Sequence, residues 1–178
     1  MQKIDFDDKT VINNFLPCQQ FAEISSLITN SNGANQFAWY PWKDVASRGE
    51  KTEPWAWYAV NALFDNFRSH DSYYETIGSI FLPKFIKYGI IHSLIRIKAN
   101  MFPYTPEVRT HSWHKDYDFD NKAAVFSLNT CDGYTSFKDG TKVKSIANQI
   151  VFFKGNVEHC SSTTSSNYAR FNINFNFL

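Results

Sequence analysis

The chain ends in YARFNINFNFL, residues 168–178, and the alternation within that stretch is nearly unbroken. Arg170, Asn172, Asn174 and Asn176 fall on one side of a strand, and Phe171, Ile173, Phe175 and Phe177 on the other, because successive side chains point to opposite faces. The ordinary expectation sends the polar face to solvent and the apolar face to a core. Whether it holds here depends on what the rest of the chain brings to the same sheet.

From residue 90 onward the same short period recurs. IIHSLIRIKANMF (90–102) is β-branched and alternating, and KAAVFSLNT (122–130), GYTSF (133–137), TKVKSIA (141–147), QIVFFKG (149–155) and EHCSST (158–163) follow at close intervals. Asp132-Gly133, Asp139-Gly140 and Gly155-Asn156 punctuate them as turns. The first half reads as mainly helical. TVINNFL (10–16) is a short strand leading into a helix from Pro17, with Phe21, Ile24 and Ile28 at helical spacing. NSNG (30–33) ends that helix as a turn, and residues 34–52 are irregular, with Trp39, Tyr40 and Trp42 among them. A second helix is expected from Pro54, its buried stripe made by Trp57, Val60, Phe64 and Phe67, and a third over about 72–88 despite Pro83. The expected architecture is mainly β with N-terminal helices (α+β): a β-sandwich or barrel with helices packed on one face. A doubly wound α/β fold is excluded, because no helices separate the strands.

The 178 residues suffice for one domain with a sizeable core, with 1–89 as a mainly helical support region and 90–178 as the β core. Aromatic residues are abundant at 17%, and the net charge of +1 gives no field pointing to nucleic acid or an anionic membrane. No apolar run approaches the roughly 18 residues that span a bilayer, and MQKIDFDDKT does not read as a signal peptide. Cys18, Cys131 and Cys160 are scattered without a CxxC pair, as reduced thiols of a cytoplasmic protein would be.

The five histidines are His70, His92, His111, His114 and His159. Within THSWHKDYD (110–118), His114 and Asp116 form an H-x-D pair. On a strand that spacing places both on one face, about 6 to 7 Å apart at their bases, close enough to share a metal ion. His159 follows in NVEHCSS (156–162), at the start of a late strand, and Arg170 lies eleven residues beyond it. Two histidines and one carboxylate on one side of a metal make the facial arrangement of non-haem Fe(II) oxygenases. An H-x-D pair alone arises often by chance as a solvated strand end; the distant His and the Arg on neighbouring late strands make the set specific. Cys160 adjoins His159, but strand neighbours point apart, so it is not counted as a ligand.

With these residues in place, the chain resembles the 2-oxoglutarate- and Fe(II)-dependent oxygenases, in their prolyl 4-hydroxylase-like branch. Residues 90–178 are similar to that family's double-stranded β-helix core, a cupin-like jelly roll, and INNFLPCQQFAEI (12–24) resembles its opening strand and helix. The chain also looks like the compact versions common in viruses of marine bacteria, which implies action in a host cytoplasm. The resemblance implies that His114, Asp116 and His159 ligate iron and that Arg170 binds the distal carboxylate of 2-oxoglutarate. Tyr104 matches a tyrosine that hydrogen-bonds the cosubstrate in related hydroxylases. GYTSF resembles the family's G-G-x-T-x-F stretch, with Asp132 in place of the first glycine. Ser127 stands where the family often carries a tyrosine, and Asn172 and Asn174 where a Thr or Ser is common; both amides can still donate and accept.

If Arg170 reaches a dianion inside the barrel, its face looks inward. Asn172 and Asn174 then line the same pocket, and Phe171, Ile173 and Phe175 face the helices. The implied cofactors are Fe(II), 2-oxoglutarate and O2, with ascorbate as a reductant. The implied reaction is hydroxylation of an unactivated C–H, on a peptidyl prolyl or other amino-acid side chain, with release of succinate and CO2. The substrate, whether peptide, protein or small molecule, is not read from the residues. A nucleic-acid substrate is disfavoured for want of a basic stripe. The aromatic set Trp39, Tyr40, Trp42, Trp55 and Trp57 is read as helix-on-sheet packing before it is read as a substrate cap, and His111 as surface. The competing readings are a non-catalytic cupin-like metal- or ligand-binding domain, which needs no cationic clamp, and a structural β-sandwich, in which the three ligands would not converge.

Overall fold

The computed structural model describes residues 3–29, 36–43 and 53–178. In chain order they form β1 (Val11–Ile12), α1 (Cys18–Thr29), β2 (Tyr40–Trp42), β3 (Tyr58–Asp65), β4 (Arg68–Ser69) and α2 (Tyr73–Lys87). Then come β5 (Leu94–Pro103), β6 (Lys122–Ser127), β7 (Tyr134–Phe137), β8 (Lys142–Lys144), β9 (Gln149–Lys154), β10 (His159–Ser161) and β11 (Ala169–Phe177). The large sheet runs β1-β9-β6-β11-β5-β3-β2, with β4 paired to β3, and the small sheet runs β10-β7-β8. Isolated bridges Thr110↔Ser162 and His114↔His159 add the irregular segment before β6 to the small sheet's edge. Every pairing between named strands is antiparallel.

β11 sits in the middle of the large sheet and is buried on both faces along its whole length. Its apolar face carries Phe171, Ile173, Phe175 and Phe177, which join Ile97 and Ala99 of β5, Phe126 of β6 and Phe152 of β9 in one core. Both helices close that core, α1 with Ile24 and Ile28, α2 with Ile77, Phe81 and Phe85. Phe175 is the hub, with ring centroids 4.7 Å from Phe81 and 5.2 Å from Phe85. The polar face of the strand lies inside the roll. Register aligns rows across it: Phe102–Arg170, Asn100–Asn172–Ser127, Lys98–Asn174–Val125 and Arg96–Asn176–Ala123.

α1 begins directly after Pro17, whose carbonyl accepts the Phe21 N–H at 2.9 Å. The loop before it is clamped by Asn148, whose side chain bonds both the N–H and the carbonyl of Leu16 at 2.8 Å. Asn148 holds φ at 61°, a conformation its short polar side chain tolerates. Pro83 is accommodated within α2 because it lies on the solvent side, where the acceptor it leaves unpaired meets water.

The helix expected from Pro54 is not formed; Tyr58–Asp65 is strand β3, paired with β5 from Ala59↔Met101 to Phe64↔Ile97. The helical stripe fails because Phe67 is 81% exposed, whereas Ala59, Asn61 and Leu63, two residues apart, are the buried set. The β5 edge needs hydrogen-bonding partners, and that tertiary demand outweighs the local spacing. Tyr40–Trp42, expected to be irregular, pairs with β3 at the sheet's margin. The N-terminal half is thus a helix-and-strand layer, not a mainly helical one. The expected turn at 30–33 lies outside the described residues. No described helix is long and apolar enough to cross a membrane. Phe175→Ala is expected to cost about 3–5 kcal/mol in urea unfolding, as for other large aromatic truncations in cores; a loss below about 1 kcal/mol would contradict its placement at the hub.

Candidate metal centre

The chain reaches this site by pairing the segment before β6 with β10. His114 and His159 exchange backbone hydrogen bonds, each N–H to the other's carbonyl at 2.9 Å, which sets their rings 4.5 Å apart. Two residues on, the Asp116 N–H bonds the Gly155 carbonyl at 3.1 Å and turns its carboxylate towards both rings. Gly155 is required there, since a Cβ would lie 1.9 Å from Asn121 Oδ1. One ligand atom from each of His114, Asp116 and His159 lies within 4.8 Å of the others, and no second such cluster occurs among the described residues.

The surroundings prepare all three for a cation. His159 Nδ1 faces the Val157 carbonyl at 3.0 Å, and His114 Nδ1 faces that of Ser112 at 3.4 Å. Those contacts assign the ring protons to Nδ1 and leave the Nε2 lone pairs free. His159 Nε2 lies 3.9 Å from Asp116 Oδ2. Burial first, and His159 second, push His114 down to about 4, so its ring is neutral near neutral pH. For Asp116, burial alone would raise the pKa, but Arg96, His159 and Asn176 outweigh it and hold the carboxyl well below the usual range. Arg96 Nη2 donates to Oδ1 at 2.7 Å, Asn176 Nδ2 to Oδ2 at 2.9 Å, and the Asn174 amide approaches both oxygens at 3.3–3.4 Å. Two imidazoles with Nε2 free and one fixed carboxylate suit a divalent first-row metal such as Fe(II). Phe153 packs on His159 with centroids 4.9 Å apart and closes the site from the far side.

A narrow cavity of about 40 Å³ leads away from the two histidines, lined by Lys98, Asn100, Phe102, Val125, Thr135, Ser161, Asn172 and Asn174. That is room for a few waters, so a larger occupant must displace side chains. Asn100 Nδ2 donates to Asn172 Oδ1 at 2.8 Å across it. Burial and the neighbouring Arg96 push the Lys98 ammonium down to about 8. Behind Thr135 and Phe102 lies Arg170, 1% exposed. Its Nη1 donates to the Tyr134 carbonyl at 2.8 Å, its Nη2 to Thr135 Oγ1 at 2.9 Å, and its Nε has no partner. Arg170 meets no carboxylate among the described residues, and burial pushes it down to about 10. Gly133 makes room for it, because a Cβ would lie 2.8 Å from Arg170 Cδ and from the Thr163 carbonyl oxygen.

The expected residues divide accordingly. His114, Asp116 and His159 converge, and Asn172 and Asn174 line the cavity. Ser127 shares their face beside Asn172 without lining the cavity. Tyr104 does not belong to it: it is 51% exposed, past the end of β5, and Asn100 and Phe102 hold the inward positions. His111 is buried, contrary to its reading as surface, with Nδ1 at 3.2 Å from the Ser161 carbonyl. The aromatic set does not cap the cavity as a unit: Trp39 packs on Phe37 and Phe171, Trp55 lies by His111, and Tyr40 and Trp42 are exposed. Cys160 points away and is buried, which pushes its thiol up to about 11. Arg96, Lys98, Asn100, Thr135 and Asn176 were not singled out. The signal for three of them is R-I-K-A-N (96–100), a polar alternation that mirrors the last strand.

No protein-family model matches the sequence, and no curated protein does. Among solved structures, a viral collagen prolyl hydroxylase from Paramecium bursaria Chlorella virus-1, in a 2-oxoglutarate complex, is similar over 96% of both chains, with 12% identity and a TM-score of 0.59. A Pseudomonas putida prolyl 4-hydroxylase matches 95% of this chain and 91% of its own, at 13% identity and a TM-score of 0.59. A 2OG-Fe(II) family oxidoreductase from Burkholderia pseudomallei matches 94% of this chain and 84% of its own, at 9% identity and a TM-score of 0.66. The chain therefore has the jelly-roll fold of the 2-oxoglutarate- and Fe(II)-dependent oxygenases, prolyl hydroxylases among them.

Proposed function

We propose that the protein is an Fe(II)- and 2-oxoglutarate-dependent dioxygenase that hydroxylates an amino-acid side chain, prolyl first among the candidates. The observation that carries this is the pairing of a His-Asp-His cluster with Arg170, a fully buried cation without an anionic partner among the described residues. A buried unpaired charge is costly, and a ligand carboxylate would satisfy it, with the partnerless Nε as a further donor. A metal-binding module without such a ligand leaves that cost unexplained. His114, Asp116 and His159 would hold the metal, and Arg170 with Thr135 the far carboxylate of the cosubstrate.

When bound, iron with 2-oxoglutarate and O2 supplies an oxidant for a substrate C–H bond, with succinate and CO2 as co-products. The chain's own share is orientation. Arg96, Asn174 and Asn176 hold the carboxylate, Val157 and Ser112 hold the imidazole tautomers, and Phe153 keeps one side dry. Trp113 and Phe119, 40% and 50% exposed on either side of the H-x-D pair in sequence, are apolar surfaces a peptide could use. The prolyl choice is supported by whole-length similarity to prolyl hydroxylases. Three free thiols fit a reducing compartment such as a cytoplasm.

Asp116→Ala is expected to abolish iron binding and turnover, because it removes the carboxylate of the His114–Asp116–His159 cluster; turnover at the wild-type rate would sink the assignment. In an anaerobic titration with Fe(II) and then 2-oxoglutarate, the wild type should develop the visible charge-transfer band of the chelate. Arg170→Ala should weaken the cosubstrate step about tenfold or more while sparing iron binding. Iron binding without the band in the wild type would transfer the protein to the non-catalytic class.

A further inference from the structure

We propose that Lys98 is a second anion-binding residue of this cavity, holding the carboxylate nearest the metal ligands while Arg170 holds the far one. The proposal rests on the dioxygenase reading and assigns a residue to the keto-acid end of its cosubstrate. Lys98 lies on β5 opposite Asn174, whose amide reaches Asp116, and it lines the cavity together with His114 and His159. No carboxylate pairs with it among the described residues. Asp116 does not serve, since Arg96 already matches its charge at 2.7 Å. The ammonium rests 5.6 Å from the Tyr58 ring centroid, a cation–π contact that holds it but brings no anionic charge to match its own.

The two cations stand at opposite ends of one face. Arg170 is four residues along β11 from Asn174, the partner of Lys98, which separates their backbones by about 13 Å. Two long side chains leaning towards each other across that distance leave a span suited to a short dicarboxylate. A divalent metal at the three ligands would add positive charge beside Lys98, and an anion entering with it relieves that repulsion. A four-carbon stem can also swing out of the narrow cavity as the ligand enters, which the carbonyl-fixed guanidinium of Arg170 cannot do as readily.

The test uses two acids on the Fe(II)-loaded protein under anaerobic conditions: 2-oxoglutarate, and 2-oxobutyrate, which keeps the keto-acid end but lacks the far carboxylate. Lys98→Met should weaken both acids about tenfold or more, and Lys98→Arg should recover most of that loss. Arg170→Ala should weaken 2-oxoglutarate alone. Unchanged 2-oxobutyrate affinity in Lys98→Met, with 2-oxoglutarate still bound by the wild type, overturns the role of Lys98 and leaves the dioxygenase reading intact. Failure of the iron-loaded wild type to bind either acid overturns both. Thermal melting followed by circular dichroism separates a binding defect from misfolding. If Lys98→Met melts early, the comparison moves to Lys98→Gln against Lys98→Arg, and equal affinities in that pair overturn the proposal.

Discussion

The structure depends on a central strand that is buried on both faces while only one of them is apolar. β11 sets Phe171, Ile173, Phe175 and Phe177 against two helices, and that face is closed by ring-on-ring packing. Its other face carries one guanidinium and three amides into the interior, where each polar group needs a partner. Asn172 finds Asn100, Asn176 finds Asp116 and Arg96, and Arg170 finds carbonyls. A purely structural sandwich would gain nothing from this, since apolar residues at the same positions would pack without the desolvation cost. That cost is what the proposed ligand role of the polar interior accounts for.

Seen electrostatically, that interior is unbalanced. Arg96, Lys98 and Arg170 occupy one face, and among the described residues only Arg96 pairs with a carboxylate there, that of Asp116. Arg96 and Asp116 cancel locally, and the bond between them keeps the carboxylate aimed. What remains is Lys98 in the wall of a short cavity and Arg170 behind its Thr135 and Phe102, next to a cluster suited to a divalent cation. An anion bound there would balance that charge.

Much of this was legible in the sequence. The seven runs read as strands after residue 90 are β5 to β11, since their alternation is local and their turns carry Gly next to Asp or Asn. The inversion of the last strand followed from the role the resemblance implies for Arg170: if that cation reaches an internal ligand, its whole face looks inward. What was not legible depended on long-range demand. Residues 57–67 carry apolar residues at helical spacing, but the unpaired edge of β5 recruits them as β3. Tyr104 fails for a related reason. It lies one residue past the end of β5, where an isolated bridge to Thr164 leaves its side chain half in solvent. Arg96, Lys98 and Asn100 were visible as an alternation, yet their importance emerges only when antiparallel register sets them beside Asn176, Asn174 and Asn172.

The two kinds of cation divide the work according to their chemistry. Arg96 and Arg170 have planar heads with several donors at fixed angles, and both are held by protein acceptors. They are prepared in advance, and Gly133 marks how tightly, since a single added carbon there would collide with the Arg170 stem. Lys98 has a flexible stem and no carboxylate partner among the described residues. On the proposed reading, it stands where the cavity admits a ligand beside the metal ligands. Rigid donors define where the far end of an anion goes; a mobile one can follow its near end as it approaches the ligands. A site organised this way sets ligand length at the arginine end and keeps its adaptability at the lysine end.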